Sequence, residues 1–80
     1  MRNYNDLLLI PVESSNLAAV GYDQLNKELV VKFAKNGAKY VYFDVPLETY
    51  NQLMTAESVG KYFCANVRDS YRFKKIEQIE

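Results

Sequence analysis

The stretch Ala38-Lys39-Tyr40-Val41-Tyr42-Phe43-Asp44-Val45-Pro46 contains a strand, its end and the start of a helix. Lys39, Val41, Phe43 and Val45 alternate with Ala38, Tyr40, Tyr42 and Asp44, the period of two that a pleated strand imposes on its side chains. Pro46 stops the run, because proline cannot donate to a ladder but suits the first turn of a helix, where an N–H has no partner. Leu47, Tyr50, Leu53 and Met54 then follow at helical spacing and form a one-sided apolar stripe. A strand that passes directly into an amphipathic helix predicts an α+β domain.

Upstream, Asn36-Gly37 supplies the left-handed backbone of a hairpin turn. Before it, Leu29, Val31 and Phe33 alternate with Glu28, Val30 and Lys32, a second strand. The polar run Asp23-Gln24-Leu25-Asn26-Lys27 reads as a further turn, preceded by a strand over Leu17 to Tyr22. The result is a three-stranded antiparallel meander. Downstream, Ser58 is placed to cap a second short helix in which Val59, Tyr62, Phe63 and Val67 share a face. Gly60, a poor helix former in its first turn, permits another backbone to approach closely. Asp44 is a candidate cap for the first helix. The tail from Tyr71 to Ile76 reads as an edge strand guarded by Lys74 and Lys75.

Composition narrows the functional classes. Eighty residues, 49% of them hydrophobic and 25% charged, fit one folded domain spanning 1–80, with its core over about residues 11–76. A single cysteine, Cys64, leaves stability to packing and fits a reducing compartment. The apolar run from Leu7 to Val12 is too short for a signal peptide or a membrane span, so the domain is expected to be cytoplasmic, with no membrane partner. Ten basic and ten acidic residues balance, which argues against a strong general nucleic-acid binder. Locally, however, Lys61, Arg68, Arg72, Lys74 and Lys75 face Asp69 alone.

Catalysis finds little footing. No histidine is present, so the commonest general base is missing. Cys64 stands at helical spacing with Val67 and reads as packing, although Lys61 is near enough in sequence to perturb a thiol. One thiolate does not make a zinc site, and glycines at 21, 37 and 60 form no phosphate loop. Asp44 and Glu48 read as charges complementing a helix N-terminus. Neither enzymatic activity nor a cofactor or metal is expected.

The ordered set Val12-Glu13-Ser14-Ser15-Asn16-Leu17, Gly21-Tyr22-Asp23, Leu29-x-Val31-x-Phe33, Tyr40-Val41-Tyr42, Val45-Pro46, Tyr50, Leu53, Ala56, Ser58, Gly60, Tyr62-Phe63, Val67-Arg68 and Tyr71 resembles the KTSC domain family. That family is a small module found alone in bacterial and phage proteins and at the C-terminus of some lysyl-tRNA synthetases. The resemblance covers Pro11 to Ile76 and implies an α+β fold with a central tyrosine pair. Cys64 departs from it, since the family commonly has asparagine after the Tyr-Phe pair. The synthetase association suggests RNA.

Two binding readings follow. Tyr40 and Tyr42, two positions apart on a strand, project from one sheet face, where single-stranded bases can stack for roughly 1–3 kcal/mol each. Lys32, Arg68, Arg72 and Lys74 are the cations available for phosphates, with Lys32 expected on the tyrosine face. Arg68 is better suited to ending its helix or pairing with Asp69 than to meeting a phosphate. Because Val41, Phe43 and Val45 are the more apolar set, they are expected inward and the tyrosine pair outward. The other reading is a protein-interaction module: a homodimer, or a modulator of a cellular or host protein. Seven tyrosines and four phenylalanines are more aromatic surface than so small a core absorbs.

Overall fold

A computed structural model describes residues 7–76. Its elements run β1 (Ile10–Pro11), β2 (Leu17–Asp23), β3 (Glu28–Phe33), β4 (Lys39–Tyr42), α1 (Leu47–Thr55), α2 (Val59–Asn66) and β5 (Phe73–Ile76). The strands form one antiparallel sheet in sequence order, β1-β2-β3-β4-β5. The α+β class, the meander and the two helices are as expected; the sheet has five strands rather than three. β5 is the foreseen edge strand. β1 was not foreseen, because it is two residues long and includes Pro11, which only a sheet edge accepts.

Local chemistry explains the joints. The β3–β4 loop closes through Phe33 N–H to Ala38 O (2.8 Å) and Gly37 N–H to Phe33 O (3.0 Å), with Gly37 at φ 73°. Asp44 takes φ 57°, a left-handed conformation that aspartate tolerates better than most residues. It therefore turns the chain instead of capping α1, which has no side-chain cap; extended Pro46 occupies the N-cap position. Ser58 does cap α2, its Oγ accepting the Lys61 N–H at 3.3 Å. At Gly60 a Cβ would lie 2.6 Å from Ser14 Oγ, so what approaches this glycine closely is the side chains of Ser14 and Asn16 rather than the expected backbone.

The core corrects the expected orientation of the sheet. Registers Leu29↔Tyr42 and Val31↔Tyr40 put the tyrosine pair on the same face as Leu29 and Val31. That face is the helix side: Leu17, Val20, Leu29, Val31 and Tyr42 pack with Val45, Leu53, Phe63 and Val67. Tyr42 is 2% exposed and Tyr40 is half-buried, so the pair points inward rather than outward. Val41 is buried too, on the opposite face with Val30 and Gly21.

Apolarity could not discriminate between two covered faces; side-chain size does. The helix side takes large rings, with Tyr42 edge-on to Phe63 at 5.5 Å. The other side takes small residues, because the segment Leu7–Leu9 crosses it. A Cβ at Gly21 would lie 2.5 Å from Leu8 O and 2.6 Å from Leu9 Cδ2.

Candidate nucleic-acid interface

The helices do not cover the whole inner face. Near the β3–β4 loop, Phe33, Lys35, Asn36, Ala38, Tyr40, Tyr42, Arg68 and Phe73 enclose an open cavity of about 370 Å³. A second cavity of about 460 Å³ lies against Ser15, Asn16, Phe33, Lys35, Phe63, Cys64 and Arg68. Phe33, Lys35 and Arg68 line both, so the two adjoin; together they are the groove. No aspartate or glutamate lines either cavity among the described residues.

Each wall has a structural cause. Tyr40 stands edge-on to Phe33 (centroids 5.4 Å apart) and tilted against Phe73 (5.9 Å), while Phe73 also leans on Tyr42 (5.5 Å). Phe33 in turn meets Phe63 edge-on at 5.7 Å, tying the aromatic wall to α2. Phe73 pairs with Tyr42 across β4–β5 and is 56% exposed. The β3–β4 loop carries Lys35 beyond the sheet. The chain just past α2 presents Arg68, whose N–H donates to Phe63 O at 2.9 Å.

Two cations, Lys35 and Arg68, line the groove, and Arg68 has a carboxylate beside it. The Arg68 guanidinium is 3.6 Å from Asp69, an exposed ion pair of small energetic value, and 4.0 Å from Cys64 Sγ. Burial pushes the Tyr42 phenol up to about 12; the neighbouring Tyr40 phenol adds to the rise and Arg68 partly opposes it. Tyr42 is therefore a neutral floor to the groove. Cys64 is half-buried and accepts a weak contact from Asn16 Nδ2 at 3.8 Å.

Of the six residues singled out from sequence, the structure brings three together: Tyr40, Tyr42 and Arg68. Lys32 pairs with Lys39 and lies on the face away from the tyrosines, contrary to expectation, because the register sets odd positions of β3 against even positions of β4. Lys74 pairs with Val41 and shares that far face. Arg72 is drawn to Asp44 at 3.4 Å and lies over the Phe43 ring at 5.5 Å. Sequence reasoning missed Phe33, Lys35, Phe73 and Asn16. Phe73 alone carried a signal, as the aromatic of an expected edge strand. The others depend on how the hairpin end sits against α2, which strand periodicity does not encode.

The carboxylates form no pair. Asp44 holds Arg72, and Glu48 Oε1 accepts from Gln52 Nε2 at 3.4 Å. No group of three potential metal ligands occurs among the described residues, and no helix among them is long and apolar enough to cross a membrane.

Comparison with known proteins places these features. Residues 13–71 match the family described as the KTSC domain. A protein of Tsukamurella paurometabola is 40% identical over 62 residues, covering 78% of this chain and 91% of its own length. An uncharacterized protein of Stutzerimonas stutzeri is 35% identical over 69 residues, covering 85% of this chain and 96% of its own. The crystal structure of a KTSC domain protein from Yersinia pestis superposes with a TM-score of 0.84 at 31% identity, over 89% of this chain and 99% of that one. With residues 13–71 matching the family and the fold superposing over most of its length, the chain belongs to the KTSC domain family.

Proposed function

We propose that this domain is a non-catalytic binding module for single-stranded nucleic acid, RNA foremost, and that the groove is its binding surface. The observation that carries this reading is the pairing of an aromatic wall with two cations, Lys35 and Arg68, the latter in an exposed ion pair with Asp69, in a chain of zero net charge. A base needs a π-face, and its phosphate needs a cation within a few ångströms. Phe73 and the exposed edge of Tyr40 supply the first; Lys35 and Arg68 supply the second. Tyr42 supports the wall from beneath and does not itself stack.

The sequence-level version of this reading, with two exposed tyrosines and four cations, is replaced by a smaller and differently composed site. A second reading, a protein-interaction module, draws on the outer edge of β5, which pairs only with β4 among the described residues. Salt separates the two. Two phosphate contacts predict a slope of log affinity against log salt of about −1.4 for a single strand. Fluorescence anisotropy with labelled single-stranded RNA, from low to physiological salt, measures it. Phe73→Ala should then weaken binding by about 1–3 kcal/mol, the value of one stacked base. Salt-independent binding, or affinity untouched in Phe73→Ala and Arg68→Ala, contradicts the reading.

A further inference from the structure

The two cavities differ in chemistry and meet at a charged junction. The first is walled by Tyr40, Tyr42, Phe73 and Ala38, with little polar surface beyond Asn36 and the shared cations. The second has the Ser15 hydroxyl, the Asn16 amide and the Cys64 thiol. Lys35 and Arg68 belong to both and so stand where the two join. Resting on the nucleic-acid reading above, we propose that the groove is a dinucleotide site. One base lies on the aromatic wall, the connecting phosphate sits between Lys35 and Arg68, and the second nucleotide is read by Asn16.

Asn16 is well placed for that role. Its backbone is fixed from both sides: its N–H donates to Ser14 Oγ at 3.1 Å, and its carbonyl accepts from Ala34 N–H at 2.9 Å. Ser14 Oγ also accepts from Leu17 N–H, so the Ser14–Leu17 segment and the β3–β4 loop hold Asn16 at the groove wall. The side-chain amide, in contrast, spends its donor on a sulfur 3.8 Å away, a weak acceptor readily exchanged for a better one. An amide presents a donor and an acceptor side by side, the complement of a base edge in an unpaired strand. Cavities of this size hold one nucleotide-sized group each. The cations at the junction favour a bridging anion over two independent ligands.

The test is a length series of single-stranded oligonucleotides from one to six residues, as RNA and as DNA, measured by anisotropy competition at low salt. Affinity should rise by about tenfold or more from mononucleotide to dinucleotide, consistent with one further base contact, and change little thereafter. Asn16→Ala should shrink that step several-fold; Asn16→Asp, which keeps the shape, should remove it by repelling the phosphate. Lys35→Ala should weaken every length and lower the salt slope by about 0.7. The step appearing in either the RNA or the DNA arm supports the site and identifies its source.

A flat series, or a step that survives in both Asn16 variants, overturns the dinucleotide site while leaving the binding reading intact. No binding at any length in either arm overturns both. Dispersed amide spectra of the variants show that they are folded.

Discussion

Tyr42 and Gly60 show how single positions hold this fold. Tyr42 is nearly inaccessible, and its phenol is held neutral by burial, with a folded pKa of about 12 against an ordinary 10. The folded state therefore keeps a proton that the unfolded chain releases above pH 10. The contribution is fully present below pH 10 and is lost as pH rises from 10 towards 12. Denaturant titrations of wild type and Tyr42→Phe should run nearly parallel from pH 7 to 9.5. Above pH 10 the wild type should lose stability faster; equal losses would contradict the buried assignment. Tyr22, also raised by burial and by Asp23, should leave a residual alkaline sensitivity in the variant.

At Gly60 the neighbour is Ser14 Oγ, which is occupied by two backbone N–H groups and cannot simply rotate away. Gly60→Ala should thus cost about 1–3 kcal/mol, the range for overpacking, despite alanine's higher helix propensity. Thermal or urea denaturation reads this directly, and a stabilised variant would contradict it.

At the scale of elements, α2 is the piece on which the groove depends. Its eight residues are too few for independent stability, so it relies on Ser58 at its start and on Phe63 buried beneath it. Ser58→Ala should cost about 1 kcal/mol by releasing the Lys61 N–H, measurable as a lowered urea midpoint with unchanged slope. A second tie holds α2 to α1, where the Tyr62 hydroxyl donates to Gln52 Oε1 at 2.7 Å. Tyr50 likewise stacks on Tyr22 at 4.9 Å, and Tyr71 shares a hydrogen bond with Thr49. These tyrosines all take part in packing or hydrogen bonds within the domain.

The elements themselves were legible in the chain. Period-two alternation, Asn36-Gly37, Pro46 and Ser58 located β2, β3, β4, α1 and α2, and the lysine-flanked tail located β5. The cap of α1 was not legible. Asp44 is used for a left-handed turn and an ion pair, competing uses that the same residue type serves equally well. β1 escaped because a two-residue edge pairing has no period to detect.

For the whole molecule, the decisive fact is that both faces of the sheet are covered. Sequence reasoning assumed one wet face and gave it to the tyrosines. The segment Leu7–Leu9 lies over Gly21, so the smaller residues take the far face and the rings take the helix side. This also explains why the site was only partly foreseen. Tyr40 and Arg68 reach the groove, whereas Lys32 and Lys74 are carried to the far face by register, and Arg72 is held on Asp44. Gly21→Ala should test this arrangement. The new methyl would strike the Leu8 carbonyl, a backbone group, so a loss of about 1–3 kcal/mol is expected with the groove's ligand affinity unchanged. Loss of affinity in a folded Gly21→Ala protein would place the binding surface on the wrong face.

The most direct measurement is an amide-shift titration of isotopically labelled protein with short single-stranded RNA at low and physiological salt. Shifts should cluster on Asn16, Phe33, Lys35, Tyr40, Arg68 and Phe73, weaken as salt rises, and spare Lys32, Arg72 and Lys74. Shifts confined to the Lys32 and Lys74 face, or a dispersed spectrum that RNA leaves unmoved at low salt, would contradict the assignment of this groove to nucleic-acid binding.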